Sequence, residues 1–319
     1  MARPRRAPFA AAAPELATLR DWLRFAVDRF AAARLAFGHG TSSAQDEAAY
    51  LLLHSLGLPL ERLEPHLDRR LTPAERARVA KLLDRRLLER IPAAYLVREA
   101  WLGEHRFYVD ERVIVPRSHI AELLRASLAP WIARPTAVRH ALDLCTGSGC
   151  LAILAALAFR SAHLDASDVS ADALAVARRN LAAYRLRRRV RLVRSDLFAR
   201  LAGERYDLIL CNPPYVPAAA MRALPREYRH EPRAALAGGR DGLAFVRQLL
   251  AAAPAHLNAD GLLVVEVGDG RSALERAFPR LPFTWLATSA GDAFVFLLRA
   301  SEIAAAARGS RSLAGTARR

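Results

Sequence analysis

At 319 residues and 35.1 kDa, with 53% hydrophobic and 25% charged residues, the chain has the balance of a folded protein with room for two domains, which excludes a small disulfide scaffold and extended disorder. A net charge of +16 and a pI near 11 point toward a polyanionic partner. Lys81 is the one lysine among 48 basic residues, a bias that reads as genome composition, and Arg3, Arg5, Arg6, Arg308, Arg311, Arg318 and Arg319 less Glu302 carry +6 of the excess. The apolar run Leu151 to Phe159 is nine residues, about half of the roughly 20 that a membrane span needs, so no membrane role is expected. The opening stretch through Pro14 is too short and too broken by Pro8 and Pro14 for a secretory leader. Cys145, Cys150 and Cys211 have no metal spacing, so reduced thiols, a cytoplasmic protein and no metal site are expected.

Residues 1–93 read as a small helical module. Leu16, Leu19, Trp22, Leu23, Ala26 and Phe30 recur at helical spacing, and Thr72-Pro73-Ala74-Glu75 supplies an N-cap, a first-turn proline and an acidic residue for a helix reaching about Arg90. Residues 94–119 change character, with aromatic and β-branched residues around Gly103, and predict a connecting β-hairpin that includes Val113 to Val115. From 120 to 300, strands and helices alternate as in an α/β domain with a mostly parallel sheet. Strands are predicted at Arg139–Leu144, His163–Asp168, Val190–Val193, Tyr206–Cys211, Gly261–Val267 and Ala293–Leu298, with helices at Cys150–Phe159 and Ala171–Tyr184. Composition collapses to Ala, Arg, Gly and Ser at 301–319, the mark of a disordered tail.

Leu142-Asp143-Leu144-Cys145-Thr146-Gly147-Ser148-Gly149-Cys150 is a strand running through a glycine-rich turn into a helix. Gly147, Ser148 and Gly149 would let a ligand lie against bare backbone above the helix N-terminus, while Asp143 organises the loop from below. Asp168 ends the next strand, where a carboxylate can accept both hydroxyls of a ribose, and Asp196 follows the third, where it can accept from an adenine amino group. Each aspartate also suits a turn or helix cap. Asn212-Pro213-Pro214-Tyr215 follows the fourth strand at the ligand-binding edge of such a sheet. The Asn212 amide oxygen and the Pro213 carbonyl can accept both hydrogens of a planar NH2 group, and Tyr215 offers a flat face beside it.

The glycine loop with Asn-Pro-Pro-Tyr resembles the S-adenosylmethionine-dependent amino-methyltransferases. Glu231-Pro232, Ala235-Leu236, Gly238-Gly239, Asp241-Gly242-Leu243 and Glu266-Val267-Gly268 narrow the likeness to the HemK-like protein-glutamine N5-methyltransferases. Phe37 to Thr41, Glu89 to Pro92 with Tyr95-Leu96, Phe107 to Val113, Val115 to Ser118 and Pro282 to Leu286 resemble the PrmB branch, which methylates a glutamine of ribosomal protein L-three. His119 stands where PrmB enzymes usually have proline. The resemblance implies a Rossmann-like class I methyltransferase domain with a helical substrate-recognition domain before it. It places the cofactor, S-adenosylmethionine, on Gly147, Ser148, Gly149, Asp168, Asp196 and Asn212. The substrate amide falls to Asn212, Pro213, Pro214 and Tyr215, with Asn212, Pro213 and Tyr215 catalytic. The implied partner is ribosomal protein L-three, alone or in an assembling large subunit with rRNA. Arg185 to Arg194 reads either as an RNA-facing patch or as a solvated helix end and strand edge. The competing readings are a release-factor glutamine methyltransferase, an enzyme methylating bases of rRNA or DNA, and an assembly factor without catalysis.

Overall fold

The computed structural model describes residues 7–306. Its first helices are α1 (Pro8–Ala12), α2 (Leu19–Ala32), α3 (Ala44–Leu56) and α4 (Pro73–Asp84), and α2 to α4 start where the sequence supplies caps. Thr18 with Asp21 and Thr72 with Glu75 form reciprocal capping boxes, and Ser43 caps α3. Trp22, Phe30, Leu51, Leu52 and Leu83 are buried among them. A π-helical turn at Arg85–Glu89 extends α4 and leaves Arg86 fully buried, where it pairs with Glu47 of α3 at 2.6 Å.

Short helix α5 (Ala93–Val97) leads to an antiparallel pair, β1 (Ala100–Leu102) and β2 (His105–Phe107), turning at Gly103 with φ +62°. Val113 to Val115 do not join this hairpin. Their backbone groups find other partners: the Tyr95 hydroxyl donates to the Val113 carbonyl, and the Val115 N–H donates to Glu231. This apolar stretch is therefore core without being strand.

After α6 (Ile120–Arg125) comes a seven-stranded sheet. Its strands are β3 (His140–Leu144), β4 (His163–Asp168), β5 (Val190–Arg194), β6 (Tyr206–Cys211), β7 (Leu257–Glu266), β8 (Thr284–Thr288) and β9 (Gly291–Arg299), in the order β5-β4-β3-β6-β7-β9-β8. Neighbours from β5 to β7 are parallel, whereas β9 runs antiparallel to both β7 and β8. Helices α7 (Cys150–Ala158) and α8 (Ala171–Ala183) cover one face together with α6; α9 (Ala218–Ala223) is exposed; α10 (Ala244–Ala252) and α11 (Arg271–Ala277) cover the other face. Leu208 and Leu210 point into one layer while Ile209 points into the other, which is why the central strands read as continuous apolar runs. Strand order reverses at β3 and β6, so the crevice that such sheets offer to ligands opens at the carboxyl ends of those two strands.

Residues 301–306, expected to begin a disordered tail, instead continue a helical segment (300–306), and Ile303 is buried against the second face. The rest of that expected tail, from 307, lies outside the described residues. No helix among the described residues is long and apolar enough to cross a membrane.

Candidate active site

A cleft of about 290 Å³ opens at that reversal point. Gly147, Asp168, Asp196, Asn212 and Pro214 line it, as the sequence indicates. The glycine turn is shaped by the groups beneath it. The Thr146 hydroxyl and the Ala152 N–H both donate to one oxygen of the Asp143 carboxylate, which ties the turn to the first turn of α7. The other oxygen, Asp143 Oδ1, is buried with no hydrogen-bond partner. Burial pushes the Asp143 pKa up to about 7.

Asp168 caps a turn, one of the two roles its sequence position allows, and is placed where the other is open to it. One oxygen accepts the Gly147 N–H and the other the Ser170 N–H, each at 2.9 Å, so it caps the turn before α8 while facing the cleft. Each oxygen keeps a second acceptor site for a ligand hydroxyl. Burial raises its pKa as well. Asp196 is exposed at the cleft rim, and its carboxylate makes no hydrogen bond among the described residues.

Four expected site residues are not among the walls of this cleft. Gly149 turns its α-carbon toward α8, where a Cβ would stand 3.1 Å from the Ala177 side chain, so its role is close helix packing. Ser148 is buried, with its carbonyl held by Asn180. Pro213 is buried and its ring does not line the cleft, which leaves its carbonyl as the one group it can offer a substrate. Tyr215 stands behind Asn212, its hydroxyl donating to Glu266 at 3.4 Å, and burial raises its pKa. The glycines of the resemblance surround it: a Cβ on Gly268 would meet the Tyr215 ring at 2.7 Å, and one on Gly242 the Tyr215 carbonyl at 2.5 Å.

Asn212 Nδ2 donates to the Arg117 carbonyl at 3.3 Å. A carbonyl cannot donate, so this contact fixes which end of the amide points where and leaves Oδ1 free as an acceptor. The loop carrying Arg117 is clamped by two buried carboxylates that sequence reasoning took only as markers of resemblance. Glu231 accepts both arms of the Arg117 guanidinium at 2.6 Å, and Glu266 accepts the Ser118 hydroxyl at 2.6 Å and the His119 N–H at 2.9 Å. Burial raises the Glu266 pKa. Burial works in the same direction on Glu231, but the Arg117 fork and His39 outweigh it and bring the value to about 2. Other cleft walls, including Leu197, Phe245 and Pro232, carried no sequence signal for a cofactor contact.

Two family models match the chain: the PrmC N-terminal domain over residues 21–97 and the methyltransferase small domain over 125–227. A ribosomal protein uL3 glutamine methyltransferase of Bordetella pertussis is 58% identical, covering 91% of this chain and 97% of its own. Proteins of the same name from Neisseria meningitidis serogroup A and Burkholderia pseudomallei are each 56% identical, over 92% and 91% of this chain and 97% of theirs. The chain belongs to the ribosomal protein uL3 glutamine methyltransferase family. Likeness to solved structures is looser: a ribosomal protein L11 methylase from Lactobacillus delbrueckii subsp. bulgaricus is 22% identical, with a TM-score of 0.40 over 56% of this chain and 76% of that one.

As a member of that family the enzyme takes its methyl group from S-adenosylmethionine, and the residues present fit that group. A cationic sulfonium suits a cleft lined by Asp168, whose glycine turn rests on the buried Asp143 carboxylate and its unpartnered oxygen. A ribose suits the open acceptor sites on Asp168, and an adenine amino group suits Asp196. Among the described residues no group of His, Cys, Asp and Glu is placed to hold a metal ion.

Proposed function

We propose that this enzyme methylates the side-chain nitrogen of a glutamine in ribosomal protein uL3, giving N5-methylglutamine and S-adenosylhomocysteine. The observation that carries the reading is the Asn212 carboxamide in the wall of the cleft, held through Nδ2 on the Arg117 carbonyl so that Oδ1 is left as a free acceptor. An amide nitrogen is a poor nucleophile because its lone pair is delocalised into the carbonyl. The cofactor supplies an electrophilic methyl group. Asn212 Oδ1 and the Pro213 carbonyl accept the two N–H groups of the glutamine, turning its lone pair toward that methyl and stabilising the positive charge that develops on nitrogen; once the nitrogen carries the methyl, one of its two N–H protons passes to solvent, which leaves the neutral N5-methyl amide. Pro214 borders the cleft, and Tyr215, fixed by Glu266, backs the motif.

Relatives that match over nine-tenths of this chain carry the uL3 name, which favours uL3 over a release factor as the substrate. The helices up to residue 93 serve substrate recognition in this reading, the segment 94–119 with its short hairpin connects, and residues 120–300 carry the chemistry in the cytoplasm.

The substrate in this reading includes rRNA around uL3. At the amino-terminal edge of the sheet, opposite the cofactor, a hollow of about 350 Å³ is lined by His140, His163, Arg187 and Arg188 among others. The arginine-rich stretch divides here. Arg189 caps carbonyls of Ala156, Phe159 and Ala162, and Arg191 pairs with Asp165 and Glu204, whereas exposed Arg187 and Arg188 have no acidic partner among the described residues. Such free guanidiniums suit phosphate.

Purified enzyme, labelled S-adenosylmethionine and three acceptors test the reading: uL3 alone, uL3 with rRNA fragments, and naked rRNA. Label on a uL3 glutamine, increased by RNA, is expected. Label on naked rRNA with none on uL3 would overturn it.

A further inference from the structure

Asn212 does not hold its own orientation. Where its Oδ1 points depends on the Arg117 carbonyl, and so on where residues 115–119 sit. Glu231 fixes that loop at two points, accepting the Val115 N–H at 2.9 Å and both arms of the Arg117 guanidinium at 2.6 Å. Glu231 in turn ends a short segment that the N-terminal helices grip. Four residues before it, Glu227 accepts the Ala36 N–H at 3.1 Å and pairs with Arg90 at 3.0 Å and with buried Arg86 at 3.5 Å. Beyond it, Pro232, Ala234 and Ala235 form a wall of the cofactor cleft.

His39 completes the connection from the helical side. It is 3% exposed, and its Nε2 stands 3.6 Å from Glu231 Oε2. Neither ring nitrogen has a hydrogen-bond partner among the described residues. The His39 ring lies 4.4 Å from that of Tyr228, and the Arg117 guanidinium is also close to this cluster, 5.4 Å from the Tyr228 ring centre. His39, Tyr228, Glu231 and Arg117 thus form a closed group with one end in the helical module and the other at the Asn212 carboxamide.

We propose that Glu231 is a positioning residue for methyl transfer, which ties the seating of the helical module, through Arg117, to the aim of Asn212. The inference rests on the assignment of Asn212 to the substrate amide. A bidentate carboxylate–guanidinium pair fixes direction as well as distance, which a single contact would not. A shift of about 1 Å in a reacting group costs roughly a hundredfold in rate, so a loop held this way is a sensitive point of control. Substrate docked on the helices would then affect the geometry at the reacting nitrogen without Glu231 touching it.

A double-mutant cycle tests this, using single-turnover transfer from saturating labelled S-adenosylmethionine to uL3 by the full-length enzyme. Glu231→Gln and Arg117→Lys should each slow transfer by about tenfold to a hundredfold, with cofactor affinity unchanged within about twofold. His39→Leu, acting from the far end, should slow it in the same direction by about threefold to tenfold. In an Asn212→Ala background the same substitutions should cost less than about twofold, because the group they aim is gone. Arg117→Lys keeps the buried charges balanced and covers the case of Glu231→Gln failing to fold. Equal costs in both backgrounds, with Asn212→Ala itself slow, would remove this inference alone. A wild-type rate in Asn212→Ala would remove the reading of Asn212 and this inference together.

Discussion

Behind the cofactor cleft, burial pushes two aspartates toward their neutral forms, Asp143 to about 7 and Asp168 in the same direction. A cationic ligand favours the ionised carboxylate, so binding below pH 7 must expel a proton that is already absent above it. Affinity for S-adenosylmethionine should therefore rise with pH through 7, with a limit of about tenfold per pH unit for one proton. Calorimetry at pH 6 and pH 8 measures this; Asp143→Asn should flatten the profile, and a flat profile in the unmodified enzyme would contradict the assignment. Asp168→Ala removes two charged acceptor sites and should weaken cofactor binding by about tenfold to a hundredfold, each such hydrogen bond contributing roughly 1.5 to 3 kcal/mol. Asp143 and Asp168 were legible because each belongs to a strand and turn whose pattern is visible in the sequence. Glu231 and Glu266 were not legible in their role. Their partners lie 114 and 148 residues away, and nothing in local spacing pairs them with Arg117 and Ser118.

Helices and strands repeat the same division between local and distant causes. The capping box at Thr72 and the central parallel strands follow from nearby residues and were read from the sequence; the equally local box at Thr18 was not. Strand β8 was missed because only Leu286 of its five residues is buried, so no apolar alternation marks it in the sequence. Val113 to Val115 read as strand because β-branched residues favour it, yet distant side chains took their hydrogen bonds. Gly149 is the instructive case among the loop glycines. Its φ of +80° and the Ala177 Cβ at 3.1 Å make it a packing residue between α7 and α8, although its motif suggested a ligand contact. Gly149→Ala should lower stability by about 1 to 3 kcal/mol, measured by denaturant unfolding. Gly147→Ala, with open space beside its Cβ but φ +53°, should cost less stability and more cofactor affinity. The reverse ranking would return Gly149 to the cofactor site.

Across the whole molecule the two edges of one sheet offer different chemistry, the cleft proposed for the cofactor with the Asn-Pro-Pro-Tyr motif at the carboxyl ends of the strands, and at the amino ends Arg187 and Arg188, which have no acidic partner among the described residues. If those arginines meet rRNA, binding to an assembling particle should weaken steeply with salt, the log-log slope growing by about one unit for each phosphate neutralised. Arg187→Glu with Arg188→Glu should reduce that slope while leaving transfer to free uL3 unchanged; an unaltered slope would place the RNA contact elsewhere. Net charge alone could not have located this face, because the same arginine-rich stretch holds Arg189, which caps carbonyls, and Arg191, which pairs with Asp165. The central claim concerns the product, and the most direct measurement is intact-mass analysis of ribosomal proteins from cells lacking the gene, followed by fragment mapping. The expected result is a uL3 lighter by one methyl group, with the missing methyl assigned to a glutamine side chain and restored by the unmodified enzyme but not by Asn212→Ala. An unchanged uL3 mass, or a missing methyl on rRNA or another protein, would contradict it.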